Sequence, residues 1–321
     1  MQFLRCLVGM LLVLALILNA VAVSGQNYPN KPIRMVTNEP GGGNDFVARV
    51  VAQGISAGLG QEVIVDNRAN VLISAEVVAK ALPDGYTLLF SGSSLWVGSL
   101  MVNSTPYDPI RDFSPITMTT NSPTILVVQP SLAVTSVKEL IALAKAKPGY
   151  LNYSSAGSGS TNHLAGELFK AMAGVNIVHD PYKGSGAGIN AVLAGEVQLM
   201  FPTVPAGMPL VKSGKLRALG VTSAQPSALA PGLPTVAASG LPGYEAGTSH
   251  GILAPANTPA FIIKRLNQEM VRFINTPEAK DAFLKAGLEA VGSSPEQLGI
   301  AMKSEMTRLG KVINDAGLRT N

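Results

Sequence analysis

Two glycine-rich stretches carry the residue types that bind an anion without a metal. The first, Gly41-Gly42-Gly43-Asn44-Asp45, follows the β-branched run "PIRMVTN" and precedes the apolar segment Phe46 to Leu59. The second, Gly157-Ser158-Gly159-Ser160-Thr161 with His163 just beyond, follows "LNYSS" and precedes the periodic segment His163 to Met172. Glycine lets a backbone come close to a ligand, and the free N–H groups and dipole of a helix start favour negative charge. Serine and threonine hydroxyls add donors without any formal positive charge. Two such helix starts facing each other across a cleft suit a carboxylate held between them. Each stretch also has a plainer reading as a tight turn, with Asn44 or Asp45 capping the first helix.

Other chemistries find less support. The first loop lacks the Lys-Ser/Thr that follows the glycines of a P-loop, and its glycines lack the dinucleotide spacing. Ser158 is not in a nucleophile elbow, because Ala156 and Ser160 stand where G-x-S-x-G requires glycine. Of the three histidines, His163 shares a helical spacing with Glu167, but neither His179 nor His250 completes a metal set around it. His163 therefore reads as a hydrogen-bonding group for the ligand or a helix-start residue, and His179 as a structural histidine. Lys183, ahead of the turn in "YKGSGAG", either supplies a charge-assisted contact or sits on the surface. The only cysteine, Cys6, lies in the N-terminal leader, so the mature chain offers no disulfide and no thiolate. No cofactor and no metal is expected.

The elements that must position these loops follow a regular grammar. Hydrophobic residues make up 47% and charged residues 14% of 321, so a large core is easily built. "EVIVDN", "YTLLFSG", "VNIVHDPY", "VQLMF" and "LRALGVTS" read as strands, with helices over Ala75 to Ala81, Val137 to Ala146 and Gly188 to Ala194. Strands alternating with helices predict parallel sheets covered on both faces. "TILVVQPSL" and "GTSHGILAPANTP" read as strands crossing between two similarly built lobes, which makes a hinge. Helices opening at Pro259, Pro277 and Pro295 return to cover the first lobe. The expected division is 1–24 signal peptide, 25–125 first part of lobe I, 126–248 lobe II, and 249–321 the mainly helical return to lobe I.

The leader has one arginine, Arg5, an apolar run from Leu7 to Leu18, and small residues ending at Ala22-Val23-Ser24. That is the pattern of a secretory signal cleaved after Ala22 or Ser24, the alternative being a membrane anchor. A large exported chain without disulfides fits a bacterial periplasm. The formal charge is +4; removing Arg5 from 24 basic residues against 20 acidic ones leaves +3. With no basic runs, nucleic acid is not an expected partner.

From Tyr28 to Gly317 the chain resembles the Bug (TctC-like) family, the periplasmic solute receptors of tripartite tricarboxylate transporters. The resemblance rests on "YPNKPIRMV", the Pro40-Gly41-Gly42…Asp45…Arg49 loop, "PDGYTLLF", "YDPIRDFSPI", "GSGSTNHLAGE", "YKGSGAGINAVLAGEVQLMF", "SGKLRALGVTS", "LPGYEA" and "APANTP". It implies a type II-like, flytrap α/β fold of two lobes that closes on a small organic carboxylate and delivers it, as a monomer, to membrane transporter subunits without chemistry. In such a receptor Gly41 to Asp45 would hold one side of the carboxylate, Gly157 to Thr161 and His163 the other, and Ser93 and Ser94 would line the first lobe's wall. A sensor passing occupancy to a signalling receptor, or an enzyme using His163 as base, are the rival readings. Departures from the family pattern fall at Asn38 and Glu39, at Pro202, in "ANVLIS", and at Ser249-His250. Glu39 either pairs with an ammonium or hydroxyl of the ligand or faces water.

Overall fold

The structure, a computed structural model, describes residues 28–319. The signal-peptide reading, with Cys6 and the cleavage region Ala22 to Ser24, lies outside the described residues. The first unit opens with β1 (Ile33–Thr37), α1 (Gly43–Leu59), β2 (Val63–Asn67), α2 (Val71–Ala79) and β3 (Thr87–Gly92). β1 pairs in parallel with both β2 and β3, and is almost wholly buried, as a strand covered on both faces must be. The chain then runs up β4 (Phe113–Pro123), crosses, and starts the second sheet with β5 (Ile125–Val128).

The second unit continues with α3 (Val137–Ala146), β6 (Asn152–Ser155), α4 (Thr161–Ala173), β7 (Val178–Pro181), α5 (Ser185–Ala194), β8 (Leu199–Met200), α6 (Val204–Lys212) and β9 (Arg217–Val221). The return crossing leads into β10 (Gly247–Pro255), followed by α7 (Ala260–Ile274), α8 (Pro277–Lys285), β11 (Glu289–Ala290) and α9 (Pro295–Asp315). The sheet orders are β11-β4-β10-β3-β1-β2 and β7-β6-β8-β5-β9.

The expected parallel sheets are realised only within the strand–helix–strand units. β10 is antiparallel to β3 and β4, and β5 is antiparallel to β8 and β9. The reason is entry direction: each of these strands arrives from the other lobe and runs away from the junction. Strand direction then fixes where the loops lie. β4 and β3 both oppose β10, so β1, β3 and β4 all point at the junction. β6, β7 and β8 are mutually parallel and oppose β5, so they point at it from the other side. The loops after β1, β3 and β6 are therefore brought to the interlobe face, where open α/β sheets bind ligands.

Packing holds this arrangement. α1 and α7 pack closely enough that a Cβ on Gly54 would lie 2.0 Å from the Phe273 ring. One apolar core joins Ile33, Met35, Phe90, Ile252, Leu266 and Phe283 in the first lobe. In the second, Phe169, Phe201 and Tyr244 form an aromatic cluster, with the Tyr244 hydroxyl donating to the Ala165 carbonyl at 2.8 Å. α9 lies against β4 and also against α4 of the other lobe.

Candidate functional site

The glycine loop after β1 is exposed at Gly41, Gly42 and Gly43 and tied down from within. Asp45 is 5% exposed. It accepts from the Gly41 N–H at 2.9 Å and from Asn67 Nδ2 at 2.9 Å, and pairs with Arg49 Nε at 2.9 Å. Burial raises its pKa, but these donors outweigh that and hold the carboxyl below its ordinary value. Asp45 thus spends its acceptors on the loop itself. Asn44 Nδ2 donates to Asn38 Oδ1 at 2.6 Å, bracing the same turn. Gly42 stands at the N-cap of α1 and no side chain caps that helix, which leaves backbone N–H groups at its start without intrahelical partners. Glu39 is exposed and accepts from Asn38 Nδ2 at 2.7 Å.

The Gly-Ser loop after β6 is braced by histidines. The Gly159 N–H donates to His163 Nδ1 at 2.9 Å. Ser155 Oγ, 2.7 Å from His179 Nε2, accepts the Gly157 N–H at 3.1 Å. The two imidazoles stack with centroids 3.8 Å apart. His163 is 3% exposed; burial first, and the charge that His179 would carry second, lower its pKa to about 4. The ring is neutral at pH 7 and serves as an acceptor for the loop backbone. Its Nε2 lies 3.9 Å from Glu167 Oε1, which also takes the Tyr153 hydroxyl and Lys170 Nζ at 2.7 Å each. Ser160 caps α4 by accepting the His163 N–H at 3.3 Å, so the Thr161 and Asn162 N–H groups are the first-turn donors left over.

Between the lobes lies a cavity of about 300 Å³, the lower end of the range for small-molecule sites. Ser93, Ser94, Gly159, Thr161 and Thr248 contribute to its lining from both lobes. Ser93 N–H is fixed on the Ser249 carbonyl at 2.8 Å, and the Thr161 and Thr248 hydroxyl oxygens are 3.2 Å apart. Apolar surface comes from Val97, Met101, Met118, Leu164 and Leu309. The remaining sequence-predicted residues lie elsewhere: Gly41 to Asp45, Gly157, Ser158, Ser160, His163 and Lys183 do not line this cavity. For the glycine loop the topology supplies the reason, since β3 separates β1 from the crossing strand β10. Ser158 and Lys183 are exposed.

The cavity also has a charged wall that composition and spacing do not reveal. Glu305 and Arg308 come from α9, and Glu245 from the segment before β10. Trp96 Nε1 donates to Glu305 Oε2 at 2.8 Å, and Arg308 meets Glu245 Oε2 at 3.3 Å. Burial raises the Glu305 pKa, opposed by the Trp96 bond and the Arg308 charge. Because 209 residues separate Trp96 from Glu305, no local pattern could pair them. Among the described residues no group of three or more His, Cys, Asp or Glu is placed to hold a metal ion.

What this arrangement can do is bind: hydroxyls from both lobes line one cavity, whereas His163 Nδ1 is taken by the Gly159 N–H and its Nε2 faces Glu167 rather than being presented as a base. The comparisons agree. Residues 47–318 match the model of the tripartite tricarboxylate transporter family receptor, TctC. The UPF0065 protein in the tcbD-tcbE intergenic region of a Pseudomonas species is 37% identical over 298 residues, covering 92% of this chain and 89% of that protein. BugT of Bordetella pertussis is 36% identical over 305 residues, covering 94% of each. Among solved structures, Rpa4515 of R. palustris with adipate is 35% identical with a TM-score of 0.68, covering 90% of this chain and 98% of that one. Taken with the two-lobed fold and its interlobe cavity, these matches show that the chain belongs to the TctC family of tripartite tricarboxylate transporter receptors.

Proposed function

We propose that this receptor works in the periplasm as a monomer, capturing a small organic carboxylate between its lobes and delivering it to the membrane subunits of a tripartite tricarboxylate transporter. The lobes in this reading are 25–125 with 249–321, and 126–248. The observation that carries it is the shared cavity: hydroxyls of Ser93, Ser94, Thr161 and Thr248 meet there from the two lobes and the crossing strand. Such groups hydrogen-bond a carboxylate without neutralising it, which permits release as well as capture. The glycine loop at Gly41 to Asp45, held in shape by Asp45, closes over the bound ligand from the first lobe, as the lobes rotate about the crossing strands. Adipate in Rpa4515, a protein of similar sequence, supports the ligand class.

The test is a thermal-shift screen of mature protein that has been unfolded, dialysed and refolded to remove any copurified ligand. The panel holds mono-, di- and tricarboxylates and amino acids. A ligand at a hundred times its dissociation constant stabilises by roughly 2.7 kcal/mol, a shift of several degrees. Stabilisation confined to carboxylates supports the reading, and Gly42→Val then removes it without altering the ligand-free melting point. A Cβ at Gly42 meets nothing nearer than the Glu39 carbonyl at 3.8 Å, so the fold has room for the change. A panel without any stabilising carboxylate would sink the proposal.

A further inference from the structure

We infer that His179 is a positioning residue for capture, the second half of a two-histidine brace on the Gly157 to Ser160 loop; this rests on the receptor reading above. His179 does not line the cavity. It stands on β7, the outer strand of the second sheet, opposite Tyr153 of β6. The loop needs a brace because Gly157 and Gly159 have φ of 121° and 78°, in a region where glycine moves freely. Two hydrogen bonds fix them: the Gly157 N–H donates to Ser155 Oγ, and the Gly159 N–H to His163 Nδ1. His179 supports both acceptors. Its Nε2 lies 2.7 Å from Ser155 Oγ. Its ring lies face to face with that of His163, 3.8 Å away and 13° from parallel, and Tyr153 packs on it at 4.9 Å. Without that ring Ser155 loses a partner and His163 loses the surface it rests on, so both anchors of the loop slacken together. Burial lowers the pKa of both histidines, that of His163 to about 4, which keeps like charges out of the stack at pH 7.

The loop bears on capture because of where it lies. Gly159 and Thr161 line the cavity. A Cβ on Gly159 would lie 2.4 Å from Met101 Cε of the facing lobe, and the Thr161 hydroxyl oxygen is 3.2 Å from that of Thr248. A small shift of the loop therefore changes the cavity's shape. A loop held before the ligand arrives also has little ordering entropy left to lose on binding, so a brace outside the cavity raises affinity inside it.

Two measurements on refolded protein at pH 7 test this role: amide hydrogen exchange by NMR, which needs no ligand, and calorimetric titration with adipate. Should adipate give no heat, the panel carboxylate with the largest thermal shift takes its place. In His179→Ala the Gly159 amide is expected to exchange at least about tenfold faster than in wild type, while Leu199 and Met200, in the middle of the same sheet, keep their protection. Adipate should bind about fivefold more weakly, the weight of one lost hydrogen bond. His179→Gln, which returns a polar atom to Ser155, should recover part of both losses. An unchanged Gly159 amide in the alanine variant overturns the inference, and so does a loosened amide with undiminished affinity. A glutamine variant no better than the alanine one overturns it as well. Failure of both variants to fold also overturns it, by making His179 a residue of the fold rather than of capture. Wild-type protein that binds no carboxylate of the panel sinks the receptor reading itself and this role with it, a result distinct from a variant that binds as wild type does.

Discussion

His250 places burial against charge at the crossing between the lobes. It stands on β10 opposite Gly92 of β3 and Thr120 of β4, and is 7% exposed. Its ring stacks on Phe90 at 6.1 Å, and Nδ1 is 3.0 Å from Thr120 Oγ1. Desolvation lowers its pKa from 6.5 to about 4, with the contact to Thr120 opposing the shift. Between those two values the unfolded chain holds one more proton than the folded chain. Stability contributed by the neutral ring is therefore complete above pH 6.5 and lost as pH falls towards 4. The slope approaches about 1.4 kcal/mol per pH unit, and the loss by pH 4 is about 3 kcal/mol.

His250→Gln removes the titration and keeps a polar group within reach of Thr120. Urea unfolding of both proteins at pH 7, 6, 5 and 4.5 gives the assay. Carboxylates elsewhere titrate in both proteins and cancel in the difference. Whatever fixed cost the substitution carries at pH 7, the variant should gain on wild type by about 2 kcal/mol at pH 4.5. A difference that stays constant across the range would refute the argument that burial keeps this histidine neutral. The variant should not become wholly insensitive to acid, because His163 is lowered to about 4 as well, by burial and by the adjacent His179. Protonating His163 removes the acceptor of the Gly159 N–H and sets two like charges in a stack 3.8 Å apart.

Two further substitutions probe the loops through their supports. Asp45→Ala deprives Gly41, Asn67 and Arg49 of a common buried acceptor, and should cost about 3 kcal/mol in urea denaturation; a loss below about 0.5 kcal/mol would show that the loop keeps its shape without it. Gly166→Ala puts a Cβ 2.2 Å from the Tyr153 ring, whose hydroxyl donates to Glu167. Overpacking there should cost about 1–3 kcal/mol by thermal unfolding, and an unchanged melting point would mean that Tyr153 moves aside freely.

Local grammar made much of the fold legible. Strand, glycine-rich turn and helix succeed one another at the starts of α1, α4 and α5, and prolines mark the starts of α7, α8 and α9 because a first helical turn needs no N–H from its residue. β4, the longest strand, escaped because Pro115 and Pro123 punctuate a threonine-rich run that reads as loop; its place beside β10 satisfies it. α6 escaped for a related reason, carrying Pro205 in its first turn and Pro209 inside it. The antiparallel entry of β5 and β10 follows from the path of the whole chain, which no window of sequence contains. In the site, residue chemistry was readable but direction was not. The same His163 could point an imidazole at a ligand or at its own loop, and the Gly159 N–H at 2.9 Å draws it to the loop. Asp45 is oriented by Arg49, four residues away, and by Asn67 on the next strand. Glu305 is oriented by Trp96 across the lobe. A side chain's type says what it can bond, and its neighbours in space decide which bond it makes. The charged side chains of this cleft are accordingly held by partners far away in sequence, Glu305 by Trp96 and Arg308 by Glu245.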